Sequence, residues 1–426
     1  MFRFAAAIVL AVLVHVVMAR AEQKLTLKEA EEAAIQNHPR LKAARLSADA
    51  AVQVPTEIRS NLMPSLFTNF TGASALDNSR IAAGGLNNPV IYDRVATGLS
   101  ASQLLTDFGR TSKLVHSSDL HAASQKQFAD ATKQQVLVDV DRAYFGILRA
   151  QAILRVAEET VTARRVVLDQ VTALSSNKLK SDLDLSFAKV NLADAELLRL
   201  NAENDVRAAF ADLAQAMGAR NAQEYDLIEE PMPGPLAPKP EDLIAQALRD
   251  RPDVNALRLE QDSAVQFSKA ERALWLPSVT AVSNLGVIPN HAAPLSNRYG
   301  AFGFNVSVPI FNGKLYTARS REAELRAGAS TERVREISNT VSRDVTTAWL
   351  KARTAFERIA LTAQMLDQAQ QALDLARTRY DLGLSSIVEL SQAQLNETAS
   401  EIASATAKYD YQLQRALLDY QLGSLR

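Results

Sequence analysis

Apolar residues recur at every seventh position along two long stretches of the chain, one from about 110 to 217 and one from about 314 to 422. Neither stretch contains proline, and both are rich in Ala, Leu, Gln, Glu, Arg and Lys, which lose little by entering a helix. The recurring residues are Val140, Ile147, Leu154, Val161 and Leu168, with Leu137 and Tyr144 beside them, and then Val345, Ala352, Ile359, Leu366, Leu373 and Tyr380. Sustained spacing of this kind is typical of helices that pack along a coiled-coil seam.

The helix predicted over residues 111–174 is too long for a compact globular domain. At about 1.5 Å per residue, a helix of this length is a rod of roughly 95 Å. We therefore expect the long helices to belong to an elongated structure.

Four other segments alternate loosely between apolar and polar residues and predict β-strands. They are Leu66–Ala73, Arg94–Leu104, Val279–Val287 and Arg298–Val308. They would form two hairpins with long loops, over residues 76–93 and 288–297. Each strand has about the length that a tilted transmembrane β-strand needs, although a soluble antiparallel sheet would have the same pattern.

The chain is an internal duplication. Its two halves match at a constant offset of 213 residues before the predicted hairpins and of 205 after them, and the shorter second hairpin loop accounts for the change. The matched positions include Pro39 with Pro252, Pro64 with Pro277, Tyr144 with Trp349, and Gly218 with Gly423. We predict a first repeat over residues 22–218 (helix, two strands, long helical hairpin), a proline-rich linker over 219–240 and a second repeat over 241–426.

The strand count constrains assembly. Four strands cannot close a membrane barrel, because the smallest barrels have about eight. Open sheet edges are not tolerated in lipid. If these strands lie in a membrane, at least two chains must share one barrel.

The first residues indicate export. Arg3 precedes an apolar run from Phe4 to Met18, and Ala19-Arg20-Ala21 has the small-x-small pattern of a cleavage site. We therefore predict a signal peptide over residues 1–21; an anchoring helix is the alternative, but the run is short for a bilayer. No other stretch approaches the length of a transmembrane helix.

Composition excludes several classes of protein. The chain has no cysteine, so it has neither disulfides nor an acylated N-terminal Cys. Its charges balance, with 47 Lys+Arg against 48 Asp+Glu and no basic tract, which argues against nucleic-acid binding. No phosphate-binding loop, nucleophile elbow or zinc-binding helix motif occurs, and His116 and His121 lack the four-residue spacing of helical ligands. We expect no enzymatic activity, no cofactor and no metal.

Several motifs together resemble the TolC-like outer-membrane efflux proteins (outer membrane factors) over essentially the whole mature chain. They are the opening Leu25-Thr-Leu-Lys-Glu-Ala with Asn37-His-Pro-Arg-Leu, Leu62-Met-Pro-Ser before the first strand, Gln103-Leu-Leu-Thr-Asp-Phe-Gly-Arg110 and Val308-Pro-Ile-Phe-Asn-Gly313 at the strand-to-helix junctions, and Arg379-Tyr-Asp-Leu-Gly383 at a helical tip. Each motif is weak alone. In this order and at the repeat spacing they are specific.

The resemblance implies a mainly α fold with a small β part: a long α-helical barrel of coiled-coil type, and four strands per chain in a shared trimeric transmembrane β-barrel. A homotrimer would have 12 strands in outer-membrane lipid and twelve helical rods in the periplasm, with the linker in a belt around the tunnel. It also implies a periplasmic adaptor protein and an inner-membrane pump as partners, and a passive conduit for exported small molecules. A channel for one-step protein secretion would have the same fold, and an exported coiled-coil structural protein is a further alternative.

The resemblance also assigns residues at the two helical tips. Positions implied to contact the adaptor are Leu179, Ser181, Leu382, Gly383, Leu384 and Ser385. Positions implied to lie at the channel mouth are Asp184, Tyr380 and Glu389.

The tips also depart from the family pattern. Lys178 stands where glycine is expected, and Ser385 and Gln392 replace an Arg and an Asp that hold some relatives closed. Any closing network must therefore differ, with Tyr380, Arg377 and Arg379 as candidates to face Asp184 or Glu389. These residues could instead be ordinary surface charges, and Ser385 or Ser386 with Glu389 could form a capping box.

Overall fold

A computed structural model of the protein describes residues 24–74, 76, 92–234, 236, 239–291 and 296–425. The predicted signal peptide and most of the predicted loop 76–93 lie outside these residues. Helices and strands follow one another in the order β1 (Lys24–Leu25), α1 (Leu27–Asn37), α2 (Pro39–Ser60), β2 (Ser65–Ala73), β3 (Arg94–Thr106), α3 (Arg110–Ser176), α4 (Asp182–Ala216), β4 (Asp226–Leu227), α5 (Glu241–Asp250), α6 (Pro252–Arg272), β5 (Ser278–His291), β6 (Arg298–Ser307), α7 (Leu315–Asp381) and α8 (Ile387–Gln421).

The order of the elements confirms the duplication. Each half runs helix, helix, strand, strand, long helix, second long helix. The helices α3 and α7 both have 67 residues, and α4 and α8 both have 35. The long helices α7 and α8 begin 205 residues after α3 and α4, whereas α5 and α6 begin 214 and 213 residues after α1 and α2. The repeat boundaries at 22–218, 219–240 and 241–426 stay a prediction.

The long helices form where the heptad pattern predicts them. The helix expected over 111–174 is observed as Arg110–Ser176. The residues of both seams are buried or half-buried, and Val140, Ile147, Val345 and Ala352 are fully buried. Packing along the seams therefore stabilises these helices, as the spacing indicated.

The chain forms two compact units, and neither coincides with a repeat. The hairpin unit comprises Met1–Ala44, Asp130–Pro252 and Asn339–Arg426, and the strand-bearing unit comprises Arg45–Ala129 and Asp253–Ser338. Each unit therefore combines matching pieces of both halves of the sequence.

In the hairpin unit, the start of the described chain is fastened to the proline-rich linker. Strand β1 pairs in parallel with β4. The buried Tyr144 supports the pair from α3, because its hydroxyl lies 2.9 Å from the carbonyl oxygen of Leu25 and 2.6 Å from that of Ile228. Its single proton can be donated to either carbonyl. Helix α1 then begins with a capping box between Thr26 and Glu29.

In the strand-bearing unit, four antiparallel strands form one sheet in the order β2-β3-β5-β6. The four predicted strands are confirmed, and only β5 differs from its predicted bounds by more than two residues at either end. Strand β5 extends to His291, because its pairing with β3 continues through Arg94 opposite His291. Residues 288–291 of the predicted loop 288–297 are therefore part of the strand, and 292–295 lie outside the described residues. Within the described residues, β2 and β6 each pair on one side only.

Candidate functional site

The tips of the two helical hairpins are built in the same way. After α3, the amide of Lys178 donates to the carbonyl of Ser175 and that of Leu179 to Leu174. After α7, Gly383 donates to Tyr380 and Leu384 to Arg379. This double closure is a Schellman motif, which needs a left-handed residue after the helix.

Lys178 and Gly383 are those left-handed residues, with φ of 59° and 72°. Glycine takes this conformation freely, whereas a residue with a side chain is strained there by about 1–2 kcal/mol. Lysine in place of glycine at position 178 therefore raises the conformational free energy of the first turn, but the geometry of the turn is the same.

At the first tip, Ser181 and Asp184 form the N-cap of α4. The Asp184 Oδ2 accepts from the Ser181 amide at 3.0 Å and from its hydroxyl at 2.8 Å, and the Asp184 amide donates back to Ser181 Oγ at 3.1 Å. The Asp184 carboxylate is therefore engaged by the cap of its own helix. A negative charge is also favourable at this helix end.

At the second tip, Ser386 is the N-cap residue, and Ser385 is not. The Glu389 amide donates to Ser386 Oγ at 3.4 Å. The Glu389 carboxylate pairs with Arg379 Nε at 3.2 Å instead of completing a capping box. The hydroxyl of Ser385 is buried and has no hydrogen-bond partner in the described chain.

The tip turns expose large apolar side chains. Leu179 and Leu384, which are equivalent in the repeat, are each 69% exposed, and Leu382 is as open. Exposed apolar clusters of this kind mark interaction surfaces.

The two tips contact each other through Lys180 and Tyr380. The Lys180 ammonium donates to the Tyr380 carbonyl oxygen at 3.1 Å and lies 3.6 Å from the centre of its ring, a cation–π contact. The Tyr380 side chain is buried beside Val171, Ile387 and Leu390. Burial, with the nearby charges of Asp184 and Asp381, raises the pKa of Tyr380 to about 12, so the phenol stays neutral.

Of the residues predicted at the channel mouth, the structure brings Tyr380 to Lys180 and Glu389 to Arg379. Their roles at a mouth, and those of the predicted adaptor positions, stay predictions. Arg377 contacts neither acid at the tip by an ion pair and instead lines a cavity of about 350 Å³ between α3, α7 and α8. Sequence reasoning missed Lys180, because no motif distinguishes it from Lys178 beside it.

The same cavity contains a group of carboxylates that sequence reasoning also missed. Glu159, Glu397 and Glu401 line it together with the buried Arg164, whose guanidinium donates to Thr398 Oγ1 at 3.3 Å. Burial, followed by the charges of Glu397 and Glu159, raises the pKa of Glu401 to about 7. Among the described residues no group of His, Cys, Asp or Glu could hold a metal ion.

One face of the sheet is mostly apolar, although Thr68, Thr97, Ser283 and Arg298 also lie on it, and the other face is mostly polar. Paired residues share a face, so the register assigns each side chain. The apolar face bears Leu66, Phe70, Leu99, Leu285, Val287, Phe302, Phe304 and Val306, all exposed. The other face bears Ser65, Asn69, Thr71, Ser100, Ser102, Asn284, Asn305 and Ser307, with Phe67 among them.

The polar face also carries an aromatic ring over two glycines. Tyr299 lies opposite Gly286, which lies opposite Gly98. A Cβ at Gly98 would overlap the Tyr299 hydroxyl oxygen, and one at Gly286 would lie only 2.6 Å from its ring. The two glycines therefore leave room for the ring to lie flat on the sheet.

Within the described part of the chain, no helix is both long and apolar enough to cross a membrane.

Comparison with known proteins agrees with this architecture. The profile of the family described as outer membrane efflux protein matches residues 31–219 and 243–424. The chain is 25% identical over 412 residues to the outer membrane protein TolC of Vibrio cholerae serotype O1, which covers 94% of this chain and 91% of that protein.

Solved structures share the fold. The outer membrane protein VceC of Vibrio cholerae has a TM-score of 0.80 at 20% identity, over 93% of this chain and 96% of that chain. The CmeC outer membrane channel of Campylobacter jejuni has a TM-score of 0.78 at 17% identity, over 93% and 85%.

The family profile covers most of the chain, in two segments that reproduce the duplication. Proteins of this family are transport components and not enzymes. Membership therefore decides between a channel and an exported coiled-coil structural protein. The chain belongs to the outer membrane efflux protein family, and it is an outer-membrane channel of efflux pumps.

Proposed function

We propose that three copies of the chain form one channel, in which twelve strands close a barrel in the outer membrane and the long helices form a periplasmic tunnel. Small molecules delivered by an inner-membrane pump leave through it, and the chain itself is a passive conduit. The observation that carries this proposal is the two-faced sheet, in which β2 and β6 each pair on one side only among the residues that the structure describes. An apolar face suits lipid and a polar face suits a water-filled lumen.

The open edges require further copies of the chain. Lipid offers no partner to unpaired backbone groups, so the edges of β2 and β6 must pair with strands of neighbouring chains. Three copies would have the twelve strands that the family resemblance implies. Rotational symmetry would place β6 of each copy beside β2 of the next and leave no edge.

The helices support the same assembly. On α4, Leu183, Val190 and Leu197 are seven residues apart and exposed in the single chain. On α7, Leu361 and Leu375 are two heptads apart and equally exposed. Apolar residues at heptad spacing favour packing against another helix, and a neighbouring copy is the natural partner for both stripes.

The tips are proposed to bind the periplasmic adaptor. Leu179 and Leu384 would supply the apolar contact, and Ser181, Leu382, Gly383 and Ser385 would shape the surface around them. The exposure of the three leucines supports this assignment. Through the adaptor, the tips would meet the inner-membrane pump, which supplies the energy.

The mouth of the channel is proposed to be kept closed by two contacts within each chain. Lys180 ties the first tip to Tyr380 of the second, and Arg379 pairs with Glu389. These contacts take the place of the Arg and Asp that the chain lacks at Ser385 and Gln392. Asp184 would add negative charge to the mouth while it caps α4.

The native mass of the protein after detergent extraction from an outer-membrane fraction tests the assembly. We expect the protein–detergent complex to contain three chains, by light scattering with the detergent contribution subtracted. A monomer, or a protein recovered only from the soluble periplasm, would contradict the shared barrel.

A further inference from the structure

The two hairpins of the sheet are equivalent pair for pair. In the first hairpin Ser65 of β2 lies opposite Ser102 of β3, and in the second Ser278 of β5 lies opposite Ser307 of β6. These residues correspond at the repeat offsets of 213 before the hairpin loops and 205 after them. Every other pair of the first hairpin has its counterpart in the second in the same way. The duplication of the sequence therefore extends to the register of the strands.

A junction between the two repeats lies inside the chain. Strand β3 of the first repeat pairs with β5 of the second, with Ser102 opposite Val282 and Ser100 opposite Asn284. At the repeat offsets β3 corresponds to β6, and β5 corresponds to β2. In the described sheet, β6 and β2 are the strands that pair on one side only. The β3–β5 junction therefore shows how β6 would meet β2 of another copy.

We propose that β6 of one copy pairs with β2 of the next copy in the register that β3 and β5 have within the chain. This inference rests on the proposed shared barrel and specifies the contact that closes it. The register places Ser307 opposite Asn69 of the next copy, and Asn305 opposite Thr71 of the next copy. All four side chains lie on the polar face of the sheet. A slip of one residue would place each of them opposite an apolar residue.

On the apolar face, the proposed contact joins the largest exposed side chains of the two edge strands. The register places Val306 opposite Phe70 of the next copy, and Phe304 opposite Gly72 of the next copy. Val306, Phe70 and Phe304 are 60%, 80% and 63% exposed in the single chain. A side chain on Gly72 would meet nothing within 4 Å there, so the space over this glycine is open to the Phe304 ring. Aromatic rings cover strand glycines in this way.

Engineered disulfides test the register directly, because the chain contains no cysteine. Residues directly opposite each other in an antiparallel pair have Cα atoms about 4.5–5.5 Å apart, which suits a disulfide. In outer membranes that contain the full-length protein, oxidation of Asn69→Cys/Ser307→Cys should convert most chains into covalent dimers and trimers on a non-reducing gel. The equivalent pair inside the chain, Ser102→Cys/Val282→Cys, should form its disulfide without joining chains.

Two cysteine pairs that are shifted by two residues on the same face are the matched controls. They are Asn69→Cys/Asn305→Cys and Thr71→Cys/Ser307→Cys, whose Cβ atoms would be diagonal neighbours and too far apart for a disulfide. Both should leave most chains as monomers on the gel.

The outcomes separate the register from the barrel. Efficient cross-linking of either shifted pair would overturn the register and leave the shared barrel standing. A trimeric protein in which none of these pairs joins chains would show that β6 and β2 are not neighbours, which also overturns the inference. A monomeric native mass would contradict the shared barrel itself.

Charged pairs provide a second readout that needs no cysteine. Thr71 and Asn305 lie on opposite edge strands of the sheet in a single chain, but directly opposite each other in the proposed contact. Opposite charges across two strands stabilise the pairing, and like charges destabilise it. Trimers of Thr71→Glu/Asn305→Lys should therefore dissociate in detergent several-fold more slowly than trimers of Thr71→Lys/Asn305→Lys. Equal dissociation rates would overturn the proposed register.

Discussion

At the scale of single residues, two glycines fix how the hairpin unit packs. Gly218 and Gly423 follow α4 and α8 with φ of 76° and 72°. A Cβ on Gly218 would lie 2.7 Å from the Cα of His38, and one on Gly423 would lie 3.0 Å from the Cα of Arg251. Gly218 thus packs against His38, the residue before Pro39 of α2, and Gly423 packs against Arg251, the residue before Pro252 of α6. The Pro and Gly motifs that are duplicated in the sequence therefore form the same contact in each half.

Replacing Gly218 with alanine should destabilise the protein by about 2–4 kcal/mol, because it adds left-handed strain to an overlap with backbone atoms. Denaturant unfolding measures the effect. Gly146→Ala is the matched control, since Gly146 lies inside α3 with open space around it. That change should stabilise by up to about 1 kcal/mol, and equal stability of the two variants would contradict the contact.

Lys180 is the residue on which the proposed closure of the mouth depends. Lys180→Met keeps the length of the side chain but removes the hydrogen bond and the cation–π contact with Tyr380. We expect a higher single-channel conductance in planar bilayers, and a further increase when Glu389→Gln also breaks the pair with Arg379. Lys189→Met, on the exposed part of α4, should leave conductance unchanged. An unaltered trace for Lys180→Met would show that the tips are held by other contacts.

At the scale of elements, the sequence was sufficient wherever one periodicity decides the structure. The absence of proline between Pro89 and Pro231 leaves α3 uninterrupted, and the heptad selects its buried side. No periodicity in the sequence predicts contacts between elements that are far apart along the chain. Lys180 and Tyr380, for example, are 200 residues apart.

The sequence also did not decide which of two similar neighbouring residues takes a given structural role. Ser385 and Ser386 both carry the hydroxyl that an N-cap needs, and only the length of the turn after α7 selects Ser386. Asp184 has the same capping chemistry as many helix-starting acids, so its engagement with Ser181 says nothing by itself about a channel mouth. Strand β5 is longer than predicted because the partner strand β3 continues beside it.

The tip turn is the element whose surface the proposed function needs most. Leu384→Asp places a charge on the exposed apolar surface without disturbing the turn, whose left-handed residue is Gly383. We expect export of pump substrates from cells to be lost while the yield of trimer stays normal. Leu384→Met keeps the surface apolar and should preserve export. Loss of the trimer in Leu384→Asp would instead make the position structural.

At the scale of the whole molecule, the hairpin unit buries its seams within one chain, whereas the sheet leaves both faces exposed. An apolar face of this size is unstable in water. The sheet is therefore the part of the chain whose stability depends most on its surroundings, and in the proposed trimer its assembly and membrane insertion would be coupled.

The two faces of the sheet predict opposite responses to the same charge. Phe302→Lys introduces a cation on the proposed lipid face, where it costs about 2–4 kcal/mol near the membrane centre. Asn305→Lys places the same cation on the proposed lumen face of the same strand, β6, where water remains. The amount of trimer in the outer-membrane fraction should fall for Phe302→Lys and stay near wild type for Asn305→Lys. Equal losses would mean that β6 does not separate lipid from water, and the barrel proposal would fail at that strand.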